Sequence, residues 1–256
     1  MNREWGTREL CATAALLLAA ATGCKLPPPE NVPEQGFRLH YEKPAPADKD
    51  NARYLRTWQL AELVLADLNA YVDLPHPVTV VAKSCQGEGT GYDPDTRRID
   101  LCYDDLTEER ELFTRAGRTT GDEELSEVVR ETIYHEAGHA VIDALDLPDE
   151  GARAEEDAAD RFAEVALLLR DPEGDDTLLT AARAYDLSAA TDPATDPTDE
   201  HAPDAARAES HRCAVHGAFP TRHKDLATPS RADCATTWTR TRDTWTTDLA
   251  PLRVGR

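Results

Sequence analysis

Basic charge is scarce in this sequence: 28 Lys+Arg stand against 49 Asp+Glu among 256 residues. A surface with that balance repels nucleic acid and anionic membranes, so neither is an expected partner. A run of apolar residues long enough to cross a bilayer, about 20, is also missing. The N-terminal run from Leu10 to Ala21 stops short of it. CxxC spacing is absent, which argues against metal ligation by the cysteines. Internal repeats are absent too, and the length fits one domain with appended segments.

What is present begins with the N-terminus. Arg3 and Arg8 precede the Leu10–Ala21 run, which ends in Ala21-Thr22-Gly23-Cys24. A positive end, a short apolar core and small residues make a signal peptide, expected over 1–23. A cysteine directly after Thr-Gly resembles the lipobox of bacterial lipoproteins, which makes Cys24 the expected lipidation site. The expected location is therefore the cell envelope, exported and held to a bacterial membrane only through the lipid. The proline-rich, polar stretch 24–51 reads as a tether.

Cys85, Cys102, Cys213 and Cys234 remain, an even number that allows three pairings. The sequence-local pairs Cys85–Cys102 and Cys213–Cys234 would each close a loop of the kind that stabilises by about 3 kcal/mol. Export would let such disulfides form.

Leu55, Trp58, Ala61, Leu65, Leu68 and Val72 recur at helical steps, predicting an amphipathic helix that ends near Pro75. The segments PVTVVAKSC and RRIDLCYD read as strands joined by a turn-rich connection, forming a hairpin. Helices are expected from Thr107 to about Ala116, Glu123 to Leu145, about Ala152 onward, and Thr177 to Leu187. The acidic, proline-punctuated stretch 191–204 reads as irregular. Trp238, Arg242, Trp245 and Leu249 lie on one stripe of a C-terminal helix, and the tryptophans read as core.

The chemistry is concentrated in His135-Glu136-Ala137-Gly138-His139. Residues four apart in a helix share a face, with about 6 Å of rise and 40° of rotation between them. That places His135 and His139 where they can hold one Zn2+ ion. Glu136, rotated by about 100°, flanks the metal as a base for its water. Alone the pattern is a roughly one-per-cent coincidence in a chain of this length. A zinc enzyme also needs a third ligand, and Glu156 on the next helix is the expected one. Asp160, one turn further, is suited to accept a ring N–H of a ligand histidine. Glu155 and Asp157 read as ordinary acids near a helix N-terminus.

The combination of HExxH with Glu156-Asp157-Ala158-Ala159-Asp160 resembles the gluzincin metallopeptidases, with their ExxxD or ExxAD helix. More closely, the chain is similar to a bacterial metallopeptidase family in which a cysteine-bearing strand and a Tyr-Asp-Pro turn precede an HExGH helix. The matching residues are Cys85, Tyr92-Asp93-Pro94, Cys102, Glu200-His201, Arg207, Cys213, Gly217, Pro220, Pro229 to Ala232, and Cys234. The resemblance covers roughly 52–250 and implies a zincin-like α+β domain. That domain is mostly helical, with a small disulfide-braced sheet or hairpin. It also makes His201 the first candidate to stabilise an oxyanion, with Arg207 second. Tyr134 reads as packing, and His40, His76, His211, His216 and His223 have no evident partner.

The leading expectation is a zinc-dependent peptidase acting on a peptide or protein substrate, with the strand ending at Cys102 offering an edge to it. The alternatives are a non-catalytic zinc-binding lipoprotein on a peptidase fold, and a metallohydrolase of non-peptide bonds. Glu136 favours catalysis, because a structural zinc site has no use for a base.

Overall fold

The computed structural model describes residues 35–117, 121–191 and 200–255. The signal segment 1–23, the lipidation site Cys24, the first part of the tether and most of the 191–204 stretch lie outside them. All the described residues belong to one compact unit.

The chain enters on β1 (Gly36–Tyr41), followed by α1 (Lys49–Trp58) and α2 (Leu60–Tyr71). Then come β2 (Pro77–Lys83), β3 (Gly91–Asp93) and β4 (Arg98–Cys102). The rest is helical: α3 (Asp105–Arg115), α4 (Asp122–Leu145), α5 (Ala152–Arg170), α6 (Gly174–Thr191), α7 (Asp204–Ala218) and α8 (Cys234–Asp248). This is the expected α+β domain, mostly helical with a small sheet. No helix of the described residues is long and apolar enough to cross a membrane.

The tether expected as far as Asn51 is corrected, since the fold claims it from Gly36 onward. Phe37, Leu39 and Tyr41 alternate along β1, which pairs in parallel with β2. The Asn69 side chain clamps the strand, accepting from Phe37 N–H at 2.7 Å and donating to Phe37 C=O at 2.9 Å. Asn51 is buried, and its amide donates to Tyr103 C=O and Thr107 Oγ1, both at 2.7 Å. Low apolar content hid this segment, because an edge strand needs only one apolar face. The single helix expected up to Pro75 is two, broken at Gln59, which has left-handed backbone (φ 52).

The expected hairpin is also corrected. The sheet order is β1-β2-β4-β3, with β2 and β4 parallel and only β3 antiparallel to β4. Parallel register sets Lys83 beside Cys102, so both strands end on the same side. Cys85, two residues further, then reaches Cys102 with a Cα–Cα distance of 5.4 Å and forms the disulfide. A hairpin would have sent those two cysteines toward opposite ends of the strand pair. The second expected disulfide, Cys213–Cys234, joins α7 to the start of α8. Gly217 makes room for that junction: a Cβ there would sit 2.4 Å from Cys234 O.

The core runs through β2 and β4 (Val80, Ala82, Ile99, Leu101) to the inner faces of α2, α4 and α5, and on to Trp238, Trp245 and Leu249. The tryptophan stripe is core, as its spacing implied. α7 was not anticipated, and it carries two side chains that matter below.

Candidate metal centre

Helix α4 is buried along most of its second half, with Ile133, Ala137, Ala140 and Val141 in the core. Its motif side chains His135, Glu136 and His139 are buried as well, although all three are polar. Helix α5 crosses at Gly138, where an added Cβ would lie 3.0 Å from Ala159 Cα. A glycine in the middle of a helix costs about 1 kcal/mol relative to alanine. Here it is the residue that lets α5 come close enough to meet the histidines.

Three donor groups converge across that crossing. His135 Nε2 lies 3.3 Å from His139 Nε2 and 3.1 Å from Glu156 Oε2. His139 Nε2 lies 3.3 Å from Glu156 Oε1. Ligand atoms around a tetrahedral ion with metal–nitrogen bonds of about 2.0–2.1 Å sit about 3.3 Å apart, so the spacing fits one such ion. The far sides of the rings agree. His135 Nδ1 faces Asp160 Oδ1 at 2.8 Å, and His139 Nδ1 faces Glu155 Oε1 at 3.0 Å. Carboxylates there accept the Nδ1–H protons, which leaves both Nε2 lone pairs pointing at each other and at a carboxylate. Such a set of acceptors calls for a cation between them.

The electrostatics point the same way. Burial works against a charged imidazole at His135, but hydrogen bonds to Asp160 and Glu156 prevail and hold its pKa up at about 10. His139 is shifted upward too, burial opposing and Glu156 prevailing. Burial would raise the Glu156 carboxyl, yet hydrogen bonds from His135, His139 and His201 hold it well below the usual carboxylate range. Protons and a metal ion compete for these groups, so metal binding here releases protons. Glu136 is shifted upward by burial, with the two histidines partly offsetting it.

Several expectations are sharpened or corrected. Asp160 contacts His135 as expected. It is held in turn by Arg207, with Nη2–Oδ1 at 2.6 Å and Nε–Oδ2 at 3.0 Å. Arg207 is therefore committed to Asp160, its guanidinium 4.3 Å from the centre of the Tyr185 ring, and no longer stands as an oxyanion candidate. Glu155, read as a surface acid, contacts His139 instead. His201 reaches the centre, with Nε2 3.1 Å from Glu156 Oε2 and its ring 6.3 Å from that of His135. Tyr134 points away to Asp67 at 3.1 Å, consistent with packing.

His211 was passed over because its partners are far away in sequence. It is fully buried between Glu131 (3.2 Å) and Glu164 (3.0 Å), from α4 and α5. His223 is likewise paired, with Asp175 at 2.6 Å.

Two cavities flank the centre and share Thr90, His135, Glu136 and His201 as walls. One, about 320 Å³, extends toward α3, while the other, about 230 Å³, runs between β3 and the start of α5. The expected edge moves: β4 is paired on both sides, and the strand with a free edge beside the centre is β3. A larger cavity of about 610 Å³ lies on another face of α4 and contains none of the centre's residues.

Residues 41–249 match a family model described as "Putative metallopeptidase" (DUF4344). The chain belongs to this family. The match takes in nearly every described element, including α4, α5 and α7, so the metallopeptidase family is defined over this whole domain and not the motif alone. A metallopeptidase implies a metal, and His135, His139 and Glu156 are a donor cluster within the matched region. No curated protein and no solved structure matches the chain.

Proposed function

We propose that this metallopeptidase is zinc-dependent, with His135, His139 and Glu156 as ligands and Glu136 as general base. The observation that carries the reading is the convergence of those three donors beside Glu136, at the junction of two cavities. Two imidazoles and one carboxylate are a donor set suited to zinc, and three protein ligands leave a position open for chemistry. Zinc bound there supplies Lewis-acid polarisation of water and of the peptide carbonyl.

The chain's own residues supply the rest. Glu136 takes the proton from the attacking water and delivers it to the departing amine as the C–N bond breaks. Its burial favours that role by raising its proton affinity. Asp160 and Glu155 fix the imidazole tautomers, and Arg207 fixes Asp160. His201, shifted upward by its hydrogen bond to Glu156, would donate to the oxyanion once a metal engages that carboxylate. An extended peptide would lie along the free edge of β3. Export and lipid anchoring through Cys24 complete the reading, supported by two disulfides that suit an oxidising compartment.

The test is Glu136→Gln. Zinc content should stay near one per chain while peptide hydrolysis falls by about 10²–10⁴-fold. Cleavage at the wild-type rate would remove Glu136 as base. Wild-type protein that binds zinc but cleaves nothing in a broad peptide library would favour a non-catalytic metal-binding role.

A further inference from the structure

The loop 84–90, which leads into β3, is rich in glycine and yet forms a wall on both sides of the metal centre. Gly87 and Gly89 have left-handed backbone (φ 85 and 81), and nothing packs where their Cβ atoms would stand. Such a segment orders only at a cost in backbone entropy. Thr90, its last residue, nevertheless lines both the 320 Å³ and the 230 Å³ cavity, together with His135, Glu136 and His201.

Two consecutive aspartates at the start of α3 hold this loop. Asp104 stands at the N-cap position but makes no cap hydrogen bond. Its carboxylate instead accepts from Cys85 N–H and Gly87 N–H, both at 2.7 Å. Asp105 Oδ2 accepts from Thr90 N–H at 2.9 Å and from the Thr90 hydroxyl at 2.6 Å. The Thr90 oxygen accepts in turn from Cys102 N–H at 3.0 Å. The β3–β4 ladder ends at Gly91, opposite Asp100, so this hydroxyl carries the pairing on where the backbone ladder stops. Thr90 thus ties α3 and the end of β4 to the wall of both cavities, and both its donors are used in doing so.

We propose that Asp105, acting through Thr90, is a positioning residue that holds the free edge of β3 in place for an extended peptide. The inference rests on the peptidase reading above and names residues that serve the same site without touching the metal. Asp104 and the Cys85–Cys102 disulfide fix the far end of the loop; the Thr90–Asp105 pair fixes the end that meets the substrate. A peptide that adds to a preformed edge does not have to order the loop as it binds. Loss of the pair therefore weakens binding in ground state and transition state alike, which raises KM and leaves kcat.

Thr90→Val keeps the side chain's shape and removes its hydroxyl, Thr90→Ser keeps the hydroxyl, and Asp105→Ala removes the acceptor. With zinc-loaded protein and one extended peptide, Thr90→Val and Asp105→Ala should each raise KM by about three- to tenfold, the range for a lost hydrogen bond. Their kcat, and both constants of Thr90→Ser, should stay within about twofold of the wild type. Zinc should stay near one per chain in all three. The double variant should fall short of the product of the two single effects, because both break one contact. Unchanged KM in Thr90→Val and Asp105→Ala would overturn the proposal. So would a fall in kcat at unchanged KM, the pattern of a smaller folded fraction.

Hydrogen exchange reads the loop directly. Amides of residues 86–91 should exchange faster in Asp105→Ala while α4 and α5 keep wild-type protection. Protection lost across α4 and α5 as well would make Asp105 a general structural residue and count against the proposal.

A readout without cleavage separates this role from the peptidase reading. Binding of the same peptide is measured by fluorescence anisotropy, to Glu136→Gln and to Glu136→Gln/Asp105→Ala. Weaker binding by the double variant supports the positioning role even if the wild type cleaves nothing, in which case only the peptidase reading fails. Equal binding by the two, with cleavage by the wild type, leaves the peptidase and removes the positioning role. Neither binding nor cleavage removes both.

Discussion

His135 and Asp160 meet across two helices, Nδ1 to Oδ1 at 2.8 Å, with both side chains buried. The contact turns Nε2 of His135 toward His139 and Glu156. Because Arg207 holds both oxygens of Asp160, the orientation of the His135 ring depends on α7 as well as on α4 and α5.

The first prediction concerns that contact. Asp160→Asn keeps the shape but removes the charge that fixes the His135 tautomer. Zinc affinity should fall by about 10–100-fold, the range for loss of such a partner. Titration against a competing chelator measures it, and unchanged affinity would leave Asp160 with no role at the metal.

Gly138→Val tests the helix crossing. Its Cβ would meet Ala159 Cα at 3.0 Å and Ala159 O at 3.1 Å. Backbone must shift to admit it, at a cost of about 1–3 kcal/mol or more. Urea denaturation should show that loss, accompanied by weaker zinc binding, because α5 carries Glu156. Wild-type stability and affinity together would show that the close approach is not needed.

His211 gives stability a pH dependence. Burial opposes its charge, but Glu131 and Glu164 prevail and raise its pKa to about 10, against about 6.5 for an unfolded histidine. A folded pKa above the unfolded one stabilises the charged state. The contribution is therefore complete below about pH 6.5 and declines as pH rises toward 10. His211→Leu would strand two buried carboxylates and should cost about 3–5 kcal/mol at pH 6. The wild type's advantage over it should shrink between pH 7 and 10. Unfolding midpoints for both proteins across that range check this, and a constant gap would argue that His211 is buried neutral.

Cys24→Ala addresses location. Expressed from Met1 in a bacterial host, the wild type should partition with membranes and into detergent if Cys24 is lipidated, whereas the variant should become soluble. Continued membrane association of Cys24→Ala would exclude a lipid anchor at that residue.

Much of the centre was legible in the sequence because its signals are local. His135, Glu136 and His139 share one helix, and Glu156 and Asp160 share the next at a one-turn spacing, so helical geometry grouped each set, and the need for a third ligand with the gluzincin resemblance joined the two. The two disulfides followed from loop closure between neighbouring cysteines, and Trp238 and Trp245 followed from their stripe. Tertiary structure decided what depends on partners distant in the chain. Parallel pairing of β2 with β4 comes from a crossover that alternation within a strand cannot report. β1 is a strand because β2 lies beside it, although its polar flanks suggested a tether. Arg207 is bound by Asp160, and His211 by Glu131 and Glu164, because α7 packs against α5 and α6 and reaches α4 through the His211 side chain. Sequence spacing determines which residues one helix can bring together; which helix lies opposite, and which charges meet there, is decided by the packing of the whole chain.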